Sequence, residues 1–293
     1  MRCAARRSWR EARPCVNSSV QHPALQEHAP APVALITGAS SGIGSALAEA
    51  YAARGWRVVL VGRRASALDA TALACAQRQG LAAVDPARLR ILAADVRHTK
   101  AWCEQASALM AEWGCPQVVV ANAGISHGVD LSHPHDLEVA RDVMDTNWLG
   151  ALATLAPFVA PMRARGSGSL VGIASVAGVR GLPGHAAYSA SKAALIRSLE
   201  SLRVELRGSG VRVVTVSPGY IATPMTSGNP FPMPFLIAPD MFARRALRAI
   251  DAGRAYATIP WPMALVGKLL HIFPRVWYDR LMARQRRKPR KGW

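Results

Sequence analysis

The chain is short of cysteine, of acid and of long apolar runs. Its five cysteines (Cys3, Cys15, Cys75, Cys103 and Cys115) form no C-x-x-C pair, and an odd number in a chain of 293 residues resembles neither a disulfide framework nor a zinc site. A reducing compartment, the cytoplasm, is the expectation. The longest lipid-like stretch, residues 263–273, contains Lys268 and falls well short of the ~20 residues needed to span a bilayer. No spanning helix is expected. Residues 1–30 lack the apolar core of a secretory signal. Their Arg-rich, Ser-containing start has some character of a mitochondrial transit peptide, which Glu11 weakens.

Acidic residues number 18 against 36 Lys and Arg, for a net charge of +18, and only five of the basic residues are Lys. The excess sits at the ends: residues 1–30 carry a net +3 and residues 275–293 a net +7. Basic ends of this kind suit contact with an anionic membrane surface or loose attraction to polyanions. No helix-turn-helix, zinc-finger or RNA-binding signature accompanies them, so no specific nucleic acid is expected. His127, His133 and His135 cluster in sequence, but without a cysteine or a third-ligand spacing they do not specify a metal site, and no metal is expected.

What is present is ordinary globular material: 51% hydrophobic residues, 18% charged, 23 Gly and 20 Pro. Residues 1–30, with three prolines and no apolar period, are expected to be a disordered basic extension. From residue 31 to about 260, apolar and β-branched runs alternate with helical segments. Strands are expected at 33–36, 57–61, 89–93, 118–121, 169–173, 211–216 and 255–259. Helices are expected at 45–53, 65–79, 99–113, 187–207 and 240–252, with one long helix over 136–164. Continuous apolar strands alternating with helices imply a parallel sheet covered on both faces, in one doubly wound α/β domain. Residues 261–293 form an apolar, then basic, C-terminal extension. Two readings of it stand: a helix packed on the cleft or on a dimer partner with a solvated tail, or contact with an anionic membrane.

Between the first strand and its helix lies Thr37-Gly-Ala-Ser-Ser-Gly-Ile-Gly44, a Gly-rich turn of the kind whose backbone N–H groups meet a pyrophosphate. At the end of the second strand, where a carboxylate would hold a ribose 2′-OH, stand Gly62-Arg63-Arg64. Guanidinium forks suit a 2′-phosphate and a carboxylate would repel one, so the expected cofactor is NADP(H) in preference to NAD(H). Tyr188 and Lys192 are four apart on one helix face, and Ser175 follows the fifth strand at the carboxyl edge of the sheet.

With Asp95-Val96, Ala121-Asn-Ala-Gly124, Asn147 and Ser217-Pro-Gly219 with Thr223, these pieces resemble, in order and spacing, the short-chain dehydrogenase/reductase family over residues 33–260. Within it the chain looks most like bacterial NADP-dependent oxidoreductases of undefined substrate. The resemblance implies a Rossmann-type doubly wound, mainly parallel seven-stranded sheet and a homo-oligomer. It also implies a catalytic set of Asn147, Ser175, Tyr188 and Lys192. Tyr188 would pass a proton to the carbonyl oxygen, Ser175 would polarise that oxygen, Lys192 would favour the phenolate, and Asn147 would hold a water linking Lys192 to solvent. Cofactor contacts would come from Gly38, Ser40, Ser41, Gly42, Ile43, Gly44, Arg63, Arg64, Asp95, Val96, Asn122, Ala123, Gly124, Tyr188, Lys192, Pro218, Gly219, Ile221 and Thr223. The apolar segment 224–237 is expected to be a mobile lid, which favours a small apolar carbonyl or alcohol substrate over a sugar. A catalytically idle nucleotide-binding protein on the same fold is the alternative, against which the intact four-residue set argues.

Overall fold

The computed structural model describes residues 30–290. The expected basic extension therefore lies, but for Pro30, outside the described residues, as do positions 291–293. Strands β1 (Val33–Thr37), β2 (Arg57–Gly62), β3 (Leu89–Ala93), β4 (Val118–Ala121), β5 (Gly168–Ile173), β6 (Val211–Pro218) and β7 (Tyr256–Ile259) form one sheet in the order β3-β2-β1-β4-β5-β6-β7. Every pairing is parallel. The helices are α1 (Gly42–Ala52), α2 (Ala65–Arg78), α3 (Thr99–Trp113), α4 (Asp136–Met144), α5 (Gly150–Arg165), α6 (Ala186–Glu205), α7 (Pro239–Asp251), α8 (Pro262–Ile272) and α9 (Arg275–Met282).

Successive strand residues point to opposite faces, so an unbroken apolar strand supplies two cores at once. Ala34, Ile36, Val58, Leu60, Val120, Val171 and Val214 share one core with Leu47, Tyr51, Leu68, Phe242 and Leu247 of α1, α2 and α7. Leu35, Val59, Val119, Leu170 and Val213 share the other with Trp102, Leu109, Phe158, Met162 and Leu195 of α3, α5 and α6. The winding direction reverses between β1 and β4. The crevice at the carboxyl ends of those strands is where open α/β sheets bind ligands.

Three expectations change. The first helix starts at Gly42, inside the Gly-rich turn, and not at residue 45. The single helix over 136–164 is instead α4 and α5 joined by a π turn at Asp145–Leu149. One extra residue in the ladder leaves the apolar spacing on either side intact, so the turn is silent in the sequence pattern. The basic tail is solvated only in part: Arg284, Arg286 and Arg287 are exposed, whereas Lys288 and Arg290 are half-buried. Arg290 makes a bidentate pair with Asp136 (2.8 Å to each oxygen), Arg287 meets Asp130 at 3.1 Å, and Pro289 O accepts from Gly128 N.

Candidate active site

Segments after β1, β2, β3, β4, β5 and β6 converge on one cavity. At the β1 end, Gly42 adopts φ +59°, in the left-handed region that favours glycine. Gly44 lets α1 press onto the turn, since a Cβ there would stand 2.1 Å from Gly38 O. Ser41 precedes α1 without capping it, and the first turn holds no acid, so the positive end of the helix faces the cavity without a local counter-charge. Asn122 fixes the turn from β4: its amide donates to Thr37 O at 2.9 Å, and Thr37 Oγ1 accepts from Asn122 N and Ala123 N. The Asn122 side chain therefore shapes the cradle by bracing it.

Arg63 and Arg64 close this end, and Arg64 Nη2 donates to Ser40 Oγ at 3.3 Å. Asp95 lies beside them, but its carboxylate accepts from Arg97 Nη2 at 2.7 Å. That hydrogen bond is the main reason its pKa sits below the usual carboxylate value. Arg97, whose signal is the Asp-x-Arg spacing, was not among the expected site residues.

At the other end stand Ser175, Tyr188 and Lys192. Ser175 follows β5, and its Oγ accepts from Ala177 N at 3.1 Å. Lys192, buried, donates to Ile173 O at 2.9 Å, and its ammonium lies 5.9 Å from the centre of the Tyr188 ring. Burial brings the Lys192 pKa down to about 8. Burial also raises that of Tyr188, and a hydrogen bond with Ser175 offsets part of the rise. Asn147 sits in the π turn with no exposed surface. Its Oδ1 accepts from Ile125 N at 2.8 Å, and its Nδ2 donates to Ile125 O at 2.9 Å and Ser191 Oγ at 3.0 Å.

Of the expected residues, all but Gly44 and Asn147 line the cavity, and these two support its wall from behind. Ile125, Thr146, Ala174, Pro224, Met225 and Thr226 also line it and were not singled out. Thr226, three residues after Thr223, locks the start of the 224–237 segment by accepting from Thr223 N and donating to Ile221 O. His185, also missed, is buried with its ring 6.2 Å from Tyr188 and 5.8 Å from Phe231. Its Nδ1–H donates to Pro183 O at 3.1 Å, and burial lowers its pKa. Among the described residues no group of His, Cys, Asp or Glu is placed to hold a metal ion.

The family model described as short chain dehydrogenase matches residues 32–230. An uncharacterized oxidoreductase of Myxococcus xanthus is 43% identical over 253 residues, covering 86% of this chain and 97% of the relative. One from Mycobacterium tuberculosis is 35% identical over 244 residues, 82% of this chain and 93% of the relative. Among solved structures, a short chain dehydrogenase from Burkholderia cenocepacia in complex with NADP aligns with a TM-score of 0.71 at 28% identity, covering 86% of this chain and 98% of that one. L-sorbose reductase from Gluconobacter frateurii, complexed with NADPH and L-sorbose, aligns with a TM-score of 0.69 at 25% identity, covering 78% and 95%. With more than half of the chain matched in sequence and the sheet matched in three dimensions, the chain belongs to the short-chain dehydrogenase/reductase family, whose members are NAD(P)-dependent oxidoreductases acting on CH–OH and C=O groups.

Proposed function

We propose that this enzyme uses NADP(H) in preference to NAD(H) to interconvert a ketone and a secondary alcohol on an apolar substrate, with Tyr188 as general acid and base. The observation that carries the reading is the shared cavity: Tyr188, Ser175 and Lys192 stand at one end and Arg63 and Arg64 at the other. The cradle fits a dinucleotide phosphate, because the uncapped start of α1 offers N–H donors and the arginines offer paired ones. When bound, the nicotinamide supplies or accepts hydride at the carbonyl carbon.

The chain supplies the proton and the electrostatics. Tyr188, a phenol whose pKa burial raises further, donates its proton to the carbonyl oxygen, and Ser175 donates a hydrogen bond to the same oxygen. Lys192 stabilises the phenolate that remains. Gly124 leaves Asn147 Oδ1 and Lys192 Nζ facing one small space, since a Cβ there would stand 3.2 Å and 3.5 Å from them. A water in that space would return the proton from solvent. Asn147 and Gly44 thus act as positioning residues.

A sugar is taken on this fold by the Gluconobacter enzyme, so the apolar preference rests on this chain's own 224–237 segment. Pro224 and Met225 line the cavity, and Phe231 packs between His185 and Tyr220. A second observation favours peripheral contact of this cytoplasmic enzyme with an anionic membrane. Helices α8 and α9 bury Met263 and Tyr278 against the body while leaving Trp261 (69%), Leu265 (59%), Leu269 (60%), Ile272 (75%) and Trp277 (59%) exposed. Lys268, Arg275, Arg280 and Arg284 accompany that apolar stripe.

Steady-state kinetics on a panel of aliphatic, long-chain and steroid-like ketones tests the enzymatic reading. Each charge-assisted bond to a 2′-phosphate is worth ~1.5–3 kcal/mol, so kcat/KM with NADPH should exceed that with NADH by more than ~tenfold. Tyr188→Phe should lose roughly 10²–10⁴-fold in turnover while still binding NADPH. Equal use of both cofactors, or a Phe variant at full rate, would contradict the assignment, and no turnover of any ketone would favour the idle scaffold.

A further inference from the structure

We propose that residues 287–290 form a strap across the substrate end of the site, with Arg290 and Lys288 as positioning residues for the three segments around Tyr188. The inference rests on the reading of that end as the substrate's. The first segment is the loop after β4, which carries the cavity residue Ile125. Here Gly128 N donates to Pro289 O at 3.1 Å, residues 128 and 290 form a parallel bridge, and Arg290 grips Asp136 while Arg287 reaches Asp130. The second is Pro183-Gly184-His185, which leads directly into α6 and Tyr188; Pro183 O accepts from Lys288 N at 3.3 Å. The third is the 224–237 segment, where Asn229 Oδ1 accepts from Lys288 Nζ at 2.9 Å.

Two glycines record the passage of the strap. A Cβ on Gly128 would stand 2.1 Å from Pro289 O, and one on Gly184 would stand 2.7 Å from Lys288 N. Bare backbone is what a close backbone approach requires, and both glycines face the same four residues. The three segments already touch: Val129 N donates to Gly184 O at 3.1 Å and Phe231 packs on His185. The strap bonds across both contacts. Its main anchor is well sheltered, with 7% of the Asp136 side chain exposed, and the guanidinium holds that carboxyl down to about 2. The anchor therefore stays charged throughout the working pH range. The last described residues of a basic run that looks made for solvent thus brace the segments around the cleft.

The test uses the full chain with two independent lesions, Arg290→Gln, which removes the anchor, and Gly128→Ala, which wedges the strap away without altering it. Arg284→Gln is the charge-matched control. Hydrogen exchange should accelerate at 125–130, 181–185 and 227–231 in both lesions and not in the control, while the 38–44 turn keeps its protection. The KM for a ketone should rise about tenfold, the loss expected for a charged hydrogen bond, with kcat and the KM for NADPH unchanged. Unchanged exchange in both lesions would overturn the strap. So would faster exchange spread over the whole sheet, which would mark a general structural role. If the wild-type enzyme turns over no ketone, the reductase reading fails, while the exchange pattern still decides the strap.

Discussion

Lys192 sits in a buried pocket where its ammonium has a carbonyl oxygen to bond, and desolvation brings its pKa down to about 8. In the unfolded chain the same group titrates near 10.4. Two pH dependences of opposite sign follow. In the proposed mechanism proton donation by Tyr188 relies on the positive field, so kcat/KM for ketone reduction by NADPH-saturated enzyme should fall as pH rises through about 8. Between about 8 and 10.4 the folded state holds fewer protons at this site than the unfolded state. Stability contributed by Lys192 therefore increases with pH over the range in which activity declines. A rate profile from pH 6 to 10 and urea unfolding across the same range measure both. A flat rate profile to pH 9.5 would show that the Lys192 charge is not needed, and Lys192→Met should abolish both trends.

The π turn at Asp145–Leu149 is the element on which the proposed catalytic end hangs. It presents Asn147 to both backbone groups of Ile125 and to Ser191 of α6, so one side chain joins β4's loop, the π turn and the helix of Tyr188. Asn147→Ala would leave Ile125 N and Ile125 O without their partner in a part-buried setting, while Ser191 Oγ keeps its bond to Tyr188 O. At ~1–3 kcal/mol for each such group, partly relieved by relaxation, we expect a loss of about 2–4 kcal/mol. The shift in urea midpoint measures this, and a midpoint that does not move would show the bonds to be dispensable. The strands around this element were legible in sequence because short, β-branched apolar runs that alternate with helical segments suit a two-sided parallel sheet. So was the cofactor turn, whose glycines mark backbone that must bend sharply and admit a neighbour. The π turn was not legible, since no Pro lies within residues 145–149 and the single Gly150 after it is tolerated inside a helical pattern. Asn122 and Asp95 were legible as positions, but their partners Thr37 and Arg97 emerged only with the fold.

Taken as a whole, the molecule has a basic, apolar C-terminal face made by α8 and α9, and among the described residues no helix is long and apolar enough to cross a membrane. Liposome flotation addresses the surface contact. Binding should require anionic lipid, weaken as salt rises, and vanish in a Leu265→Glu, Leu269→Glu, Ile272→Glu variant, at roughly 1 kcal/mol per basic residue near the surface. Indifference to lipid charge, salt and the substitutions would reject membrane contact. The fate of the last basic residues was hidden in the sequence for a reason of distance. Arg290 and its partner Asp136 are separated by 154 positions, and a charge run reveals no counter-ion so remote.

The reversal of winding between β1 and β4 carries one more consequence. Ala34 pairs with Val118, and Thr37 Oγ1 donates to Val120 O across 83 positions, so the two lips of the dinucleotide crevice come from parts of the chain remote in sequence. The complete crevice exists only where that seam is closed. Capacity to hold the cofactor is therefore a certificate of finished folding. Ligand bound only by the finished form adds to its stability as ligand concentration rises above the dissociation constant. The pool of dinucleotide around the enzyme thus serves also as its custodian, shielding completed molecules from the proteases that dispose of unfinished ones.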